Sequence, residues 1–346
     1  MLSPSSRHPL VRSYRPRLVR LLLAAAPFAL FAACNGADSP LAPGDQEPGP
    51  VAASPETAPA ELTPAASAPT ANLAALGAQR ILFVSTRAGG YDVFRMDPLG
   101  ANVSRVTFFN YYGTEPAWSW TNQQIAVTRP RKDAQNVEHS DLFLMNADGS
   151  NKHWARSQPS SFDMRYPSWS PDGKHVVLSI ILGGKPYLAT MDVTNGNMSF
   201  VLFGGKIIQG NFPTYDTKGR ILYVSGTGKQ VLQLDVAGNI QYLLFTSEYV
   251  MGCPQLSGDG TRVAFQMVVG PNIDVYVKYL SGSLRRLTTT PGYDGAPSWS
   301  PDGTRIAFQS DRSGKSQIYV MDAATGGNLA RITQTNSEEK SAAWSH

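Results

Sequence analysis

Residues 297–303 read Pro-Ser-Trp-Ser-Pro-Asp-Gly, and the strand-like stretch Arg-Ile-Ala-Phe follows at 305–308. Residues 167–173 repeat the same seven amino acids ahead of Val-Val-Leu at 176–178. Weaker copies occur elsewhere, and residues 116–119 keep Pro-Ala-Trp-Ser while replacing the turn. A Pro-Asp-Gly segment between an aromatic-Ser pair and an apolar run predicts a tight turn that joins two strands.

The apolar strand after each copy recurs at a nearly constant spacing of 44, 51, 45, 42 and 43 residues. That spacing is the period of a four-stranded propeller blade. The six strands begin at Ile81, Ile125, Val176, Ile221, Val263 and Ile306. Each is followed by a strand of alternating polarity, a turn with a glycine and a short fourth strand. We expect a positive φ at the turn glycines, namely Gly100, Gly149, Gly196, Gly238, Gly282 and Gly326.

The two ends of the repeat decide the number of blades. The first repeat opens directly at Arg80 and Ile81 without an aromatic-Ser strand, and residues 342–345 supply a spare copy, Ala-Ala-Trp-Ser. We therefore predict an all-β fold, a six-bladed β-propeller of four-stranded antiparallel blades in which the C-terminal strand completes blade 1. Such closure removes the open sheet edges that would otherwise recruit other chains.

These repeats resemble the TolB-type propeller repeat, a relative of the WD family, over about residues 80–346. The resemblance implies a binding protein. The small α/β domain that precedes the propeller in TolB has no counterpart in this sequence, and a Pro-rich segment stands in its place. The partners of TolB therefore do not transfer to this chain.

The N-terminus is predicted to be an export signal. Residues 1–20 are Arg-rich and acid-free, and residues 21–33 form an apolar run that is too short to span a bilayer. Residues 30–34, Leu-Phe-Ala-Ala-Cys, resemble the lipobox of bacterial lipoproteins, which implies a signal peptide over residues 1–33 and lipidation of Cys34. An ordinary cleaved signal with Cys34 incidental is the alternative. Asn35 rather than Asp follows the cysteine, which by resemblance favours the outer membrane over the inner membrane.

Residues 34–79 are predicted to be a disordered tether. From residue 35 onward they hold eight prolines, five acids and no Lys or Arg, and their apolar surface is too small to offset the entropy of ordering. We expect the propeller, residues 80–346, to be held on this tether in the cell envelope, facing the periplasm or the cell surface. A lipid at Cys34 would leave Cys253, the other cysteine, without an intramolecular disulfide partner.

The charge distribution argues against nucleic-acid binding. The formal net charge is +4, but five of the 30 basic residues fall within residues 1–20. The 25 that remain face 26 acidic residues, so the exported part is near −1 and has no basic stripe to neutralise phosphates. We expect a monomer that contacts the membrane through its lipid only.

The sequence lacks a recognisable catalytic motif. No Gly-x-Ser-x-Gly elbow is present, and residues 226–229, Gly-Thr-Gly-Lys, do not satisfy the phosphate-loop pattern. The recurring Asp172, Asp259 and Asp302 are interpreted as turn residues, and the recurring tryptophans as packing between blades. We expect no cofactor and no enzyme. The alternative is a carbohydrate- or peptide-processing enzyme, such as a lyase with a His-bound metal in the propeller channel.

The predicted binding surface is the rim of the channel. Loops that connect the fourth strand of one blade to the first strand of the next gather at one face of a propeller. Tyrosines and acids recur in them, and Tyr is favoured at interface centres. We therefore expect an envelope protein or peptide to bind at Tyr111, Tyr112, Glu115, Asp163, Arg165, Asn211, Tyr249, Tyr293, Asp294 and Glu338.

Overall fold

A computed structural model describes residues 79–109, 115–121 and 123–345. The described residues form 26 strands and contain no helix. The signal peptide, Cys34, Tyr111 and Tyr112 lie outside them. Within the described residues, the structure therefore has no helix of a length and hydropathy that could cross a membrane.

The strands form six four-stranded antiparallel sheets, each a blade of a β-propeller. Blades 2 and 3 follow the chain from the inner strand outward: β4 Ala117–Trp118, β5 Gln124–Lys132, β6 Glu138–Asn146 and β7 His153–Trp154, then β8 Asp163–Trp169, β9 His175–Leu182, β10 Lys185–Asp192 and β11 Met198–Phe200. A separate hairpin of β12 Leu202–Phe203 and β13 Lys206–Ile207 leads to blade 4. This hairpin lies outside the repeat pattern of the sequence and was not predicted from it.

Blades 4, 5 and 6 repeat the same order. Blade 4 consists of β14 Gly210–Tyr215, β15 Ile221–Ser225, β16 Gln230–Asp235 and β17 Ile240–Thr246. Blade 5 consists of β18 Met251–Leu256, β19 Arg262–Val269, β20 Asn272–Tyr279 and β21 Leu284–Arg286. Blade 6 consists of β22 Asp294–Trp299, β23 Arg305–Ser310, β24 Gln317–Asp322 and β25 Ala330–Arg331.

The C-terminal strand closes the ring. Blade 1 contains β1 Ile81–Ser85, β2 Asp92–Met96 and β3 Ser104–Arg105, and its inner strand is β26 Glu339–Trp344. β26 pairs antiparallel with β1, with Ile81 opposite Trp344 and Ser85 opposite Glu339. The predicted fold class and closure are confirmed.

The core lies between the blades. The second strand of each blade contains a run of at least four buried residues, and in β1 all five residues are buried. Both faces of such a strand pack against a neighbouring blade, which explains the continuous apolar runs. One core cluster joins β1 and β26 to Ala307, Ile318 and Val320 of blade 6, so the first and last blades share a core.

The recurring turn glycines also pack between blades. Gly326 has φ +74°, and a Cβ built on it would lie 2.5 Å from the carbonyl oxygen of Leu287 in blade 5. Gly100, Gly149 and Gly196 meet a carbonyl oxygen of the preceding blade in the same way. Five of the six predicted turn glycines have a positive φ, and the prediction is wrong for Gly238, where Asn239 adopts the left-handed conformation instead.

Replacing Gly326 with alanine should therefore destabilise the protein by about 3 kcal/mol, since a strained φ is combined with a steric clash. Gly314→Ala is the matched control, because Gly314 has φ +89° but open space where the Cβ would be. We expect that variant to lose only about 1 kcal/mol, measured by denaturant unfolding. Equal losses in the two variants would contradict close packing at the Gly326 turn.

Candidate functional site

The inner strands of five blades are kinked at one equivalent position. Each kink is a register shift between the inner strand and its neighbour, and the residue at the shift has a positive φ. A left-handed conformation at a residue other than glycine costs about 1–3 kcal/mol, so five of them at one radius are a costly feature of the channel wall. The five residues are Tyr166, Phe212, Cys253, Ala296 and Ser341.

Aromatic side chains occupy the middle of the channel. The rings of Tyr166 and Phe212 lie 4.4 Å apart between centroids. The Tyr293 hydroxyl donates a hydrogen bond of 3.1 Å to Oε1 of Gln266. Burial, together with the nearby Tyr166, raises the pKa of Tyr293, and burial, together with Glu115, raises the pKa of Tyr166. Tyr166 is thus close enough to affect the pKa of Tyr293, although the two residues belong to blades 3 and 6 on opposite sides of the ring.

A cavity opens at the channel end where the inner strands begin, and we call this end the mouth. The mouth cavity has a volume of about 300 Å³ and extends across blades 3, 4 and 5. Asn211 and Phe212 line it, and Asn211 is only 4% exposed. Asn211 Oδ1 is buried and has no hydrogen-bond donor in the part of the chain that the structure describes. A buried acceptor without a donor costs about 1–3 kcal/mol, so this oxygen has an unused capacity to accept a hydrogen bond.

Four of the predicted mouth residues reach the surface. Tyr249 is 48% exposed and directly precedes Val250 and Met251, which line the mouth cavity. The side chains of Asp163 and Arg165 are about one-third exposed and lie 3.9 Å apart. The Glu338 carboxylate lies 3.8 Å from Nζ of Lys340.

Three other predicted mouth residues are less accessible. Asp294 is 1% exposed and accepts a hydrogen bond of 2.9 Å from Arg312, and burial raises its pKa. Glu115 lies deeper in the channel, where its carboxylate accepts a hydrogen bond from the backbone N–H of Tyr166. The Tyr293 ring is half-buried in the middle of the channel.

A larger cavity lies at the opposite end of the channel, where the inner strands end, and we call it the funnel. Its volume is about 390 Å³, and all six blades contribute to its wall. The wall is rich in proline and aromatic side chains: Pro116, Trp118, Trp120, Pro167, Pro213, Tyr215, Pro297, Trp299 and Trp344. Phe212 lines both cavities, which places the aromatic residues of the channel between the mouth and the funnel.

The repeated aspartates stabilise turns within a blade and the repeated tryptophans pack between blades, as predicted. Asp172 accepts hydrogen bonds from the Ser170 hydroxyl at 2.6 Å and the Lys174 amide at 3.0 Å, which hold its pKa below the usual value. The indole N–H of Trp169 donates to the Ala117 carbonyl in the preceding blade at 3.1 Å. Trp299 donates to the equivalent carbonyl of Gln255 at 2.9 Å.

Cys253 differs from the expectation based on the sequence. It is disulfide-bonded, and the partner of that bond lies outside the described residues. Within the described ranges, no group of three or more His, Cys, Asp or Glu side chains is arranged to hold a metal ion.

Comparisons with known proteins agree with this architecture. Residues 213–346 match the family model of the TolB beta propeller domain. TolB from Acinetobacter baumannii has 20% identity and a TM-score of 0.66, covering 77% of this chain and 66% of that one. The putative TolB from Agrobacterium tumefaciens has 15% identity and a TM-score of 0.56, covering 76% of this chain and 91% of that one.

An oligogalacturonate lyase solved in complex with manganese is more distant, with 14% identity, a TM-score of 0.50 and 74% of each chain covered. A search of curated proteins found no match. The chain spans just under two thirds of the length of the Acinetobacter TolB. The fold defines a six-bladed β-propeller, and that propeller is TolB-like.

Several residues of the site were not predicted from the sequence. Tyr166, Phe212 and Trp120 lack the repeat regularity that drew attention to the other aromatic residues. A weak signal was present, because Tyr166 and Phe212 each precede a proline in the inner strand. Proline favours an extended conformation for the residue before it, so it marks this position in the repeat but does not itself predict the positive φ found there.

Proposed function

We infer that the protein is an envelope-anchored binding or scaffold lipoprotein whose mouth binds a protein or peptide partner. The observation that carries this proposal is the mouth cavity, where the buried Asn211 Oδ1 lacks a donor among the described residues. The exposed Tyr249 directly precedes Val250 and Met251, which line the same cavity. An extended peptide offers backbone N–H groups to such an acceptor. Tyr249 supplies apolar area and a polar tip at low entropic cost.

The charged rim fits the same kind of ligand. Arg165, Asp163 and Glu338 remain partly exposed around the mouth, so both signs of charge are available to orient a partner. The similarity to TolB propellers supports a binding role at the level of the fold. Anchoring through Cys34 and a position at the outer membrane rest on the sequence of residues 1–35.

The experiment is to recover partners from solubilised envelopes with the full-length protein and to measure their affinity for variants. Tyr249→Ala should weaken binding by about 2 kcal/mol, roughly thirtyfold, while the melting temperature stays within a degree or two. The matched control is Tyr242→Ala on β17, because Tyr242 is 44% exposed, close to the value for Tyr249, but lies on the outer strand of blade 4.

Tyr242→Ala should leave binding unchanged. A second variant, Asn211→Leu, replaces the amide by an apolar side chain of similar size, and we expect it to lose affinity without losing stability. Normal binding by both Tyr249→Ala and Asn211→Leu would place the partner surface away from the mouth.

A further inference from the structure

The funnel contains one repeated tryptophan whose indole differs from the others. Trp169, Trp299 and Trp344 each donate the indole N–H to an acceptor within the protein. The Nε1 of Trp118 occupies the equivalent place in blade 2, is buried, and has no acceptor among the described residues. The funnel therefore presents a buried donor beside a proline- and aromatic-rich wall.

The chain enters the propeller at the rim of this funnel. The Trp344 indole, which lines the funnel, donates to Oε1 of Gln79 at 3.0 Å. The backbone N–H of Arg80 donates to Oγ of Ser345 at 2.8 Å, and the N–H of Ser345 donates to the Arg80 carbonyl at 2.7 Å. The residues before Gln79 thus begin within contact distance of the funnel wall.

The segment that precedes Gln79 has the chemistry that such a wall recognises. Residues 62–78 carry no charge, and Pro64-Ala-Ala-Ser-Ala-Pro69 lies within them. Proline-rich segments in a polyproline II conformation dock into aromatic-lined grooves and lose little entropy on binding. The ten residue steps from Pro69 to Gln79 span about 30 Å at ~3.1 Å per residue, which is enough for the segment to turn back into the cavity.

We propose that residues 64–69 of the tether occupy the funnel, with the indole N–H of Trp118 donating to one of their backbone carbonyl oxygens. We favour residues 64–69 over a separate peptide as the occupant, because their attachment at Gln79 gives them a local concentration in the millimolar range. Docking would fix the tether at the face opposite the mouth, so the mouth would point away from the anchor.

The test is hydrogen–deuterium exchange of the full processed chain. Residues 36–49 belong to the same Pro-rich tether and serve as the internal reference. The amides of residues 62–71 should exchange at least tenfold more slowly than those of the reference. Trp118→Phe keeps the aromatic ring but removes the donor, and should reduce that protection about fivefold, the effect of one hydrogen bond.

Trp299→Phe is the matched control, since Trp299 also lines the funnel but donates to Gln255. It should lower the melting temperature and leave exchange in residues 62–71 unchanged. A double variant, Pro64→Gly with Pro69→Gly, leaves the propeller untouched and should abolish the protection. Equal exchange in residues 62–71 and 36–49 of the wild-type chain would overturn the proposal, as would unchanged protection in the double variant.

Discussion

Deletion of residues 341–346 should prevent the protein from folding as a monomer. The deletion removes most of β26, the inner strand of blade 1, and with it Trp344, which is 2% exposed and packs with Ile81 and Phe83. Loss of a buried tryptophan alone costs about 3–5 kcal/mol. The total stability of a domain is typically about 5–15 kcal/mol, and the deletion also breaks the β1–β26 ladder.

The exposed edge of β1 adds a second effect. Its five residues, Ile-Leu-Phe-Val-Ser, are uncharged and would have a free hydrogen-bonding edge, the kind of strand that recruits other chains. We expect aggregation in size-exclusion chromatography and loss of the cooperative melting transition. Trp120→Ala is the control, because Trp120 is only partly buried and lies outside the strand ladder, and it should melt cooperatively. A truncated chain that stays monomeric and melts like the full one would contradict closure by β26.

The sequence was sufficient to predict the blades because each blade repeats the same local chemistry. Asp172, Asp259 and Asp302 each accept a hydrogen bond from the backbone amide two residues later, so the turn is encoded within a few residues. The ends of the repeat then determine the count, because β1 needs a neighbour that only residues 342–345 resemble. Local signals of this kind can be recognised in the sequence without knowledge of the tertiary structure.

The channel was harder to predict because its side chains come from several blades. Asp294 resembles an exposed loop residue in the sequence, but an Arg312 guanidinium from the next turn pairs with it in the interior. Blade 1 has the same arrangement, with the fully buried Glu339 lying 3.0 Å from Arg87. Whether a carboxylate is buried therefore depends on a partner that is distant in the sequence. The partner of Asp294 lies 18 residues later, whereas the partner of Glu339 lies 252 residues earlier.

The funnel was missed for a related reason. The sequence indicated that the tryptophans pack between blades, and this interpretation holds for Trp169, Trp299 and Trp344. The sequence could not show that the indole N–H of Trp118, at the same place in blade 2, has no acceptor among the described residues. The order of the loops predicted a mouth on one face, whereas the larger cavity lies on the other face.

Substitution of Cys34 should have the largest effect on where the protein resides. The apolar run of residues 21–33 is too short to remain as a membrane span, so the lipid would be the only strong attachment. Each buried methylene of an acyl chain contributes about 0.8 kcal/mol, and two chains on one glycerol anchor a protein stably. Cys34→Ser should thus abolish incorporation of labelled palmitate and move the protein from the membrane fraction to the soluble fraction, or leave it uncleaved.

The second cysteine makes this prediction sharper. A sulfur that carries a thioether-linked diacylglycerol cannot also form a disulfide, and the structure has Cys253 disulfide-bonded. We expect Cys253→Ser to retain full palmitate labelling, because lipidation of Cys34 does not require Cys253. Palmitate incorporation that persists in Cys34→Ser would exclude the lipoprotein assignment. Alkylation of Cys253 only after reduction, in a protein that runs as a monomer without reductant, would show instead that Cys34, the only other cysteine of the chain, is bonded to it rather than to lipid.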